Sequence, residues 1–141
     1  MNDTSDGMSM ADDAEMADQY VQWTLKALED MDRFITQIQE LGEGDLGTRK
    51  SLYKEIYGLS HNMKGMGSSF DYLLMTDIGA SLCDYLKQVP ENLVPEFTVV
   101  ASHVRAFRVI ITNRIVGAGG EKGQAVLAKL KGMAADSLAT I

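Results

Sequence analysis

Apolar residues recur along this chain at a helical period in five separate stretches. Val21, Leu25, Leu28, Ile35 and Ile38 form one stripe, broadened by Trp23, Ala27, Phe34 and Leu41, while Asp30 and Asp32 keep the other side polar. That spacing predicts a first helix over 14–41. Leu52, Ile56, Leu59, Met63, Met66 and Phe70 follow at intervals of four, three, four, three and four, predicting a second over 49–69. Met75, Ile78, Leu82, Tyr85 and Val89 share the inner face of a third helix, 72–88, which Pro90 stops. Phe97, Val100, Val104, Phe107 and Ile111 make a fourth, with Pro95 in its first turn and an end near Val116. Val126, Leu130, Met133 and Leu138 make only a partial stripe over 121–139, interrupted by Gly123 and Gly132.

The punctuation agrees with this division. Three glycines within 42–47 mark a turn, with Thr48 as N-cap of the second helix, and Gly117, Gly119 and Gly120 close the fourth. Few segments alternate with a period of two, and no Asn-Gly or Asp-Gly pair joins β-branched runs. The expected class is all-α. Long amphipathic helices joined by short turns pack antiparallel, which predicts an up-down four-helix bundle over 14–116 with an additional C-terminal helix across one end or along the side. The whole of 14–141 reads as one domain, preceded by a disordered acidic tail over 1–13.

Composition narrows the picture. Cys83 is the only cysteine, so no intramolecular disulfide and no cysteine-rich metal site can form. A thiol beside the third stripe is expected to be buried. With no secretory signal and no apolar run approaching ~20 residues, a cytoplasmic location is expected, away from membranes. The net charge of −7 is uneven: six acids and no Lys or Arg precede Lys26. The remainder carries fourteen acids and thirteen bases, which argues against a nucleic-acid footprint. Within 49–64 the balance reverses, with Arg49, Lys50, Lys54 and Lys64 against Glu55 alone. A basic patch on an acidic chain can steer an acidic partner surface towards it.

His61 is the candidate for chemistry. At about 100° per residue it falls roughly 180° from the centre of the second stripe, so it should face water. An exposed helical histidine is ordinarily only solvated, but this one has Lys64 three residues on and Gly58 and Gly65 on the same outer face. Each of those glycines costs a helix about 1 kcal/mol relative to Ala. An imidazole is available as a neutral nucleophile near neutral pH. A nearby ammonium can hold a transferred phosphoryl group by a charge-assisted hydrogen bond. His103, the second histidine, is placed at the boundary between core and water and reads as structural. Neither histidine has a Glu three residues before it, which argues against a metal site in the bundle core.

His61, Met63, Lys64, Gly65, Gly67, Ser68 and Phe70 together resemble the motif of the histidine-containing phosphotransfer (HPt) family. That pattern is His, any residue, an apolar residue, Lys, Gly, then small residues and an apolar residue nine after the His. The resemblance implies a four-helix bundle with His61 as phospho-acceptor, Lys64 in charge stabilisation and Gly65 leaving room for a docking receiver domain. It departs from many family members at Ser68 and Asp71, where they carry glycine.

The function expected on this basis is a stand-alone phosphotransfer protein of a multistep phosphorelay in two-component signalling. His61 would take a phosphoryl group from a receiver-domain aspartate and pass it to another receiver. The partners implied are response-regulator receiver domains or the receiver of a hybrid histidine kinase. Docking is expected on Lys50, Lys54, Tyr57, Gly58, Gly65 and Ser68. The chain is then a monomeric carrier rather than an enzyme and holds no cofactor or metal, with catalytic groups and Mg²⁺ on the receiver. The rival reading is a non-phosphorylated helical adaptor that binds and sequesters a receiver or kinase domain through the same face.

Overall fold

The computed structural model describes the backbone of residues 2–141, and the side chains from Ala14 onward. The first helix, expected to start at 14, begins at Asn2 and so takes in the backbone of the stretch expected as a tail, while residue 1 lies outside the described residues. The fold is all-helical, without strands among the described residues. Its helices are α1 (Asn2–Leu41), α2 (Leu46–Gly67), α3 (Leu73–Gln88), α4 (Phe97–Thr112) and α5 (Gly120–Ala139), with one 3₁₀ turn at Ser68–Phe70. No described helix is long and apolar enough to cross a membrane.

Each helix end has a local cause, and several differ from the sequence expectation. α2 starts at Leu46 because Asp45, not Thr48, is its N-cap: the Asp45 carboxylate accepts from the Thr48 N–H at 3.1 Å. α4 starts at Phe97 with Glu96 as N-cap, so Pro95 stands before the helix rather than in its first turn. It ends at Thr112, four residues before Val116. Arg114 there adopts a left-handed φ of 49°, and the Ile115 N–H turns back to Ile110 O at 2.9 Å. That closure normally recruits glycine, so the sequence carried no stop signal. Asp71 does the same after α2, with φ 66° and the Tyr72 N–H on Gly67 O at 2.8 Å.

α1 packs on α2 and α4, and α3 packs on α2 and α4, whereas among the described residues the α1 and α3 backbones, and those of α2 and α4, stay more than 8 Å apart (Cα–Cα). α5 packs on α3 and α4, along the side. α3 is therefore covered from three directions, which explains why Leu74, Met75, Ile78, Gly79, Ser81, Leu82, Cys83 and Tyr85 are all buried, well beyond one stripe. α4 also carries a wide buried arc, and it takes in His103, which is wholly buried rather than at the margin. His103 Nδ1–H donates to Val99 O at 2.8 Å, and its Nε2 lies 2.9 Å from the Ser81 hydroxyl, which donates to it. Along α1 the interior takes Thr24 and leaves Trp23 exposed. Val126 of α5, expected inward, is also exposed.

Candidate functional site

α2 lies close against α3, and small residues set how close. A Cβ added to Gly79 of α3 would stand 3.0 Å from Lys64 Cβ and 3.3 Å from Ser60 O. A Cβ on Gly67 would stand 2.7 Å from Thr76 Oγ1 and 2.8 Å from Tyr72 O. Thr76 Oγ1 donates to Lys64 O at 2.9 Å, tying the last turns of α2 to the start of α3.

This contact rotates the buried face of α2. The fully buried residues are Tyr53, Ile56, Ser60, Met63 and Gly67, whereas Leu52, Leu59, Met66 and Phe70 only flank the core. The buried arc is turned by roughly 60° from the apolar stripe. His61 consequently stands roughly 120° from its centre, not 180°. It remains exposed, on the shoulder facing α3.

The Tyr57 ring stacks on the His61 ring one turn away, with centroids 6.1 Å apart and planes at 13°. Lys87 of α3 places its ammonium 6.0 Å from the Tyr57 ring centroid, within reach of the cation–π attraction. A line of ammonium, phenol and imidazole thus crosses from α3 to α2. Lys64 is half-buried, its backbone held by Thr76 and Gly79. Gly58 and Gly65 are exposed, and a Cβ at either would meet no atom within 4 Å. Backbone is therefore bare on the outer side of His61, for no reason of internal packing.

The remaining expected docking residues divide. Lys54 and Ser68 are exposed. Lys50 is half-buried and donates to Glu91 O in the α3–α4 connection, which anchors its ammonium at the edge of the cleft beside Lys54. Arg49 donates to Gly44 O and Glu43 O at 2.9 Å each, which holds it against the α1–α2 turn. The basic patch read from 49–64 gains Lys87 from α3. Lys50, Lys54, Tyr57 and Lys87 share a cleft of about 240 Å³ that runs from the foot of Tyr57 to Pro90.

Lys87, Thr76 and Gly79 were not singled out in the sequence. Gly79-Ala80-Ser81, three small residues inside an apolar helix, was the available signal of a close helix contact. Nothing in sequence order places Lys87 beside Tyr57. Among the described residues, no three or more His, Cys, Asp or Glu side chains are grouped to hold a metal ion. Cys83 is buried without a disulfide partner, and burial pushes its thiol pKa up, so it offers no reactive thiolate at the surface. No family model, curated protein or solved structure matches the chain.

Proposed function

We propose that this protein is a histidine phosphotransfer protein that carries a phosphoryl group on His61 between receiver domains. The carrying observation is the exposed imidazole with open backbone at Gly58 and Gly65 on one side and cations on the other. Under this reading the ring of contacts α1–α2–α3–α4 is an up-down antiparallel four-helix bundle, and α5 is an accessory helix on its side.

In the forward step, the lone pair of a neutral His61 ring nitrogen attacks the phosphorus of an aspartyl phosphate. A P–N bond forms, the acyl P–O bond breaks, and the aspartate leaves as a carboxylate. The proton on the other ring nitrogen passes to solvent. Return of the phosphoryl group to a second aspartate reverses these bonds. Such a transfer needs chiefly in-line positioning and charge stabilisation. Tyr57 limits the rotation of the imidazole by stacking on it. Lys64, three residues from His61, supplies positive charge for the phosphoryl oxygens, Lys87 adds to the positive field beyond Tyr57, and the bare glycine side admits the partner. The acidic pocket and Mg²⁺ belong to the receiver.

The test is phosphotransfer from a phosphorylated receiver domain to the purified chain. His61→Gln should accept no phosphoryl group while keeping the parent thermal melt. Lys64→Ala should slow transfer or shorten the lifetime of the phosphorylated form. Full labelling of the His61 variant would refute the assignment. Tight receiver binding without transfer, by the parent as well, would make the chain an adaptor.

A further inference from the structure

The groove between α4 and α5, away from His61, combines exposed apolar walls with cations. α5 is pinned to α3 at both ends. Gly119 and Gly123 sit so close to Leu74 that a Cβ on either would fall 2.5 Å and 2.8 Å from its Cδ2. At the far end the Tyr85 and Ser137 hydroxyls lie 2.7 Å apart. The seam with α4 is left open, as a groove of about 670 Å³. Val109, Ile110, Val126 and Met133 are among its walls, and Val109 and Val126 are 50% and 43% exposed. Its charged lining residues are Arg105 on α4 and Lys122 and Lys129 on α5, with no Asp or Glu. None of the three is ion-paired among the described residues, in a chain whose net charge is −7.

We propose that this groove is a docking site for an acidic amphipathic helix of a partner protein. Charge and shape choose the occupant. Lys122 and Lys129 are seven residues apart, two turns along one face, or about 10.5 Å. Arg105 faces the groove from the opposite wall. Cations spread along both walls match a helix bearing carboxylates two turns apart on the flanks of an apolar stripe. A single-headed amphiphile would need positive charge at one end only. Apolar side chains of the helix cover Val109 and Val126, and Met133 adapts to their shape. The site stands independently of phosphorylation at His61.

The experiment titrates the full chain into three labelled 18-residue peptides by fluorescence anisotropy. One is an amphipathic helix with Leu and Met on one face and Glu on its flanks. The second replaces every Glu by Lys, and the third scrambles the first. The acidic amphipathic peptide should bind at least tenfold more tightly than either control, and its affinity should fall with added salt. Lys122→Glu/Lys129→Glu and, separately, Val126→Asp should each weaken it at least tenfold with unchanged melts, and His61→Gln should bind as the parent does. Backbone amide shifts on binding should be confined to α4 and α5. No binding, equal binding of the basic peptide, or indifference to the groove variants would overturn the proposal. So would a dimer by sedimentation that Val126→Asp dissociates, which would give the groove to a second copy. Shifts on α4 and α5 with laurate but not with the peptide would give it to a small amphiphile and overturn the proposal equally.

Discussion

Gly65→Ala separates what the fold needs from what a partner needs. A methyl group there meets no atom within 4 Å, and the same holds at Gly58. Glycine inside a helix is worse than alanine by about 1 kcal/mol, partly through the freedom it gives the unfolded chain. Gly58→Ala, in mid-helix, should therefore gain about 1 kcal/mol of stability. Gly65→Ala, in the last turn of α2, should gain about 0.5 kcal/mol. For a chain of this length, 1 kcal/mol raises the melting temperature by roughly 3–5 °C. Gly67→Ala is the control with the opposite sign. Its Cβ would press on Tyr72 O at 2.8 Å, a backbone atom that cannot swing away, so it should lose about 1–3 kcal/mol. Thermal and urea unfolding followed by circular dichroism measure all three. A lower melt for Gly58→Ala or Gly65→Ala would refute the claim that this side of α2 is open. The same position then tests function. Gly65→Gln should fold like the parent yet transfer at least tenfold more slowly, because its side chain occupies the space beside His61. Undiminished transfer would show that no partner enters there.

Asp71 holds a left-handed φ of 66°, which costs a residue with a Cβ about 1 kcal/mol. Asp71→Gly should raise stability by up to about 1 kcal/mol, less the entropy glycine adds to the unfolded chain, and Asp71→Val should lower it. A lower melt for the glycine variant would mean that the Asp71 side chain itself secures the α2–α3 junction. His103 gives a pH prediction. Burial pushes its pKa below the ordinary 6.5, and both ring nitrogens are already bonded in the neutral form. Its contribution is complete above pH 6.5 and is lost as pH falls towards the folded-state value, because the unfolded chain takes up a proton that the folded chain refuses. The slope is at most about 1.4 kcal/mol per pH unit. Urea unfolding between pH 7 and 5.5 should show a shallower fall for His103→Leu than for the parent, and equal slopes would refute this account.

Helix type and number were legible because each stripe repeats over several turns, and burying such a stripe is what makes a helix stable in a protein. The buried positions Ile56, Met63, Met75, Ile78, Leu82, Tyr85, Val100, Val104, Phe107 and Ile111 all lie on those stripes. Helix ends were less legible where an unusual residue performed the closure. Asp71 and Arg114 stand where a glycine would have marked the stop, and Asp45 caps α2 three residues before Thr48. Trp23 and Val126 misled because a stripe drawn from hydrophobicity alone does not reveal which neighbour arrives to cover it.

At the candidate site, the identity of His61, its outward direction and its flanking glycines were all readable from local periodicity, which is a property of one helix taken alone. The company it keeps was not. Lys87 reaches Tyr57 only because Gly79 and Gly67 let α3 approach α2 closely, and that approach also turns the buried face of α2 by roughly 60°. Lys50 and Arg49 are anchored by carbonyls that the connections between helices bring to them. Periodicity depends on each residue's place along its own helix, so sequence alone determined five helices and one outward imidazole. Which charges surround that imidazole, and which seam of the fold stays open, depend on contacts between residues far apart in the chain, and only the packing of the helices decided them.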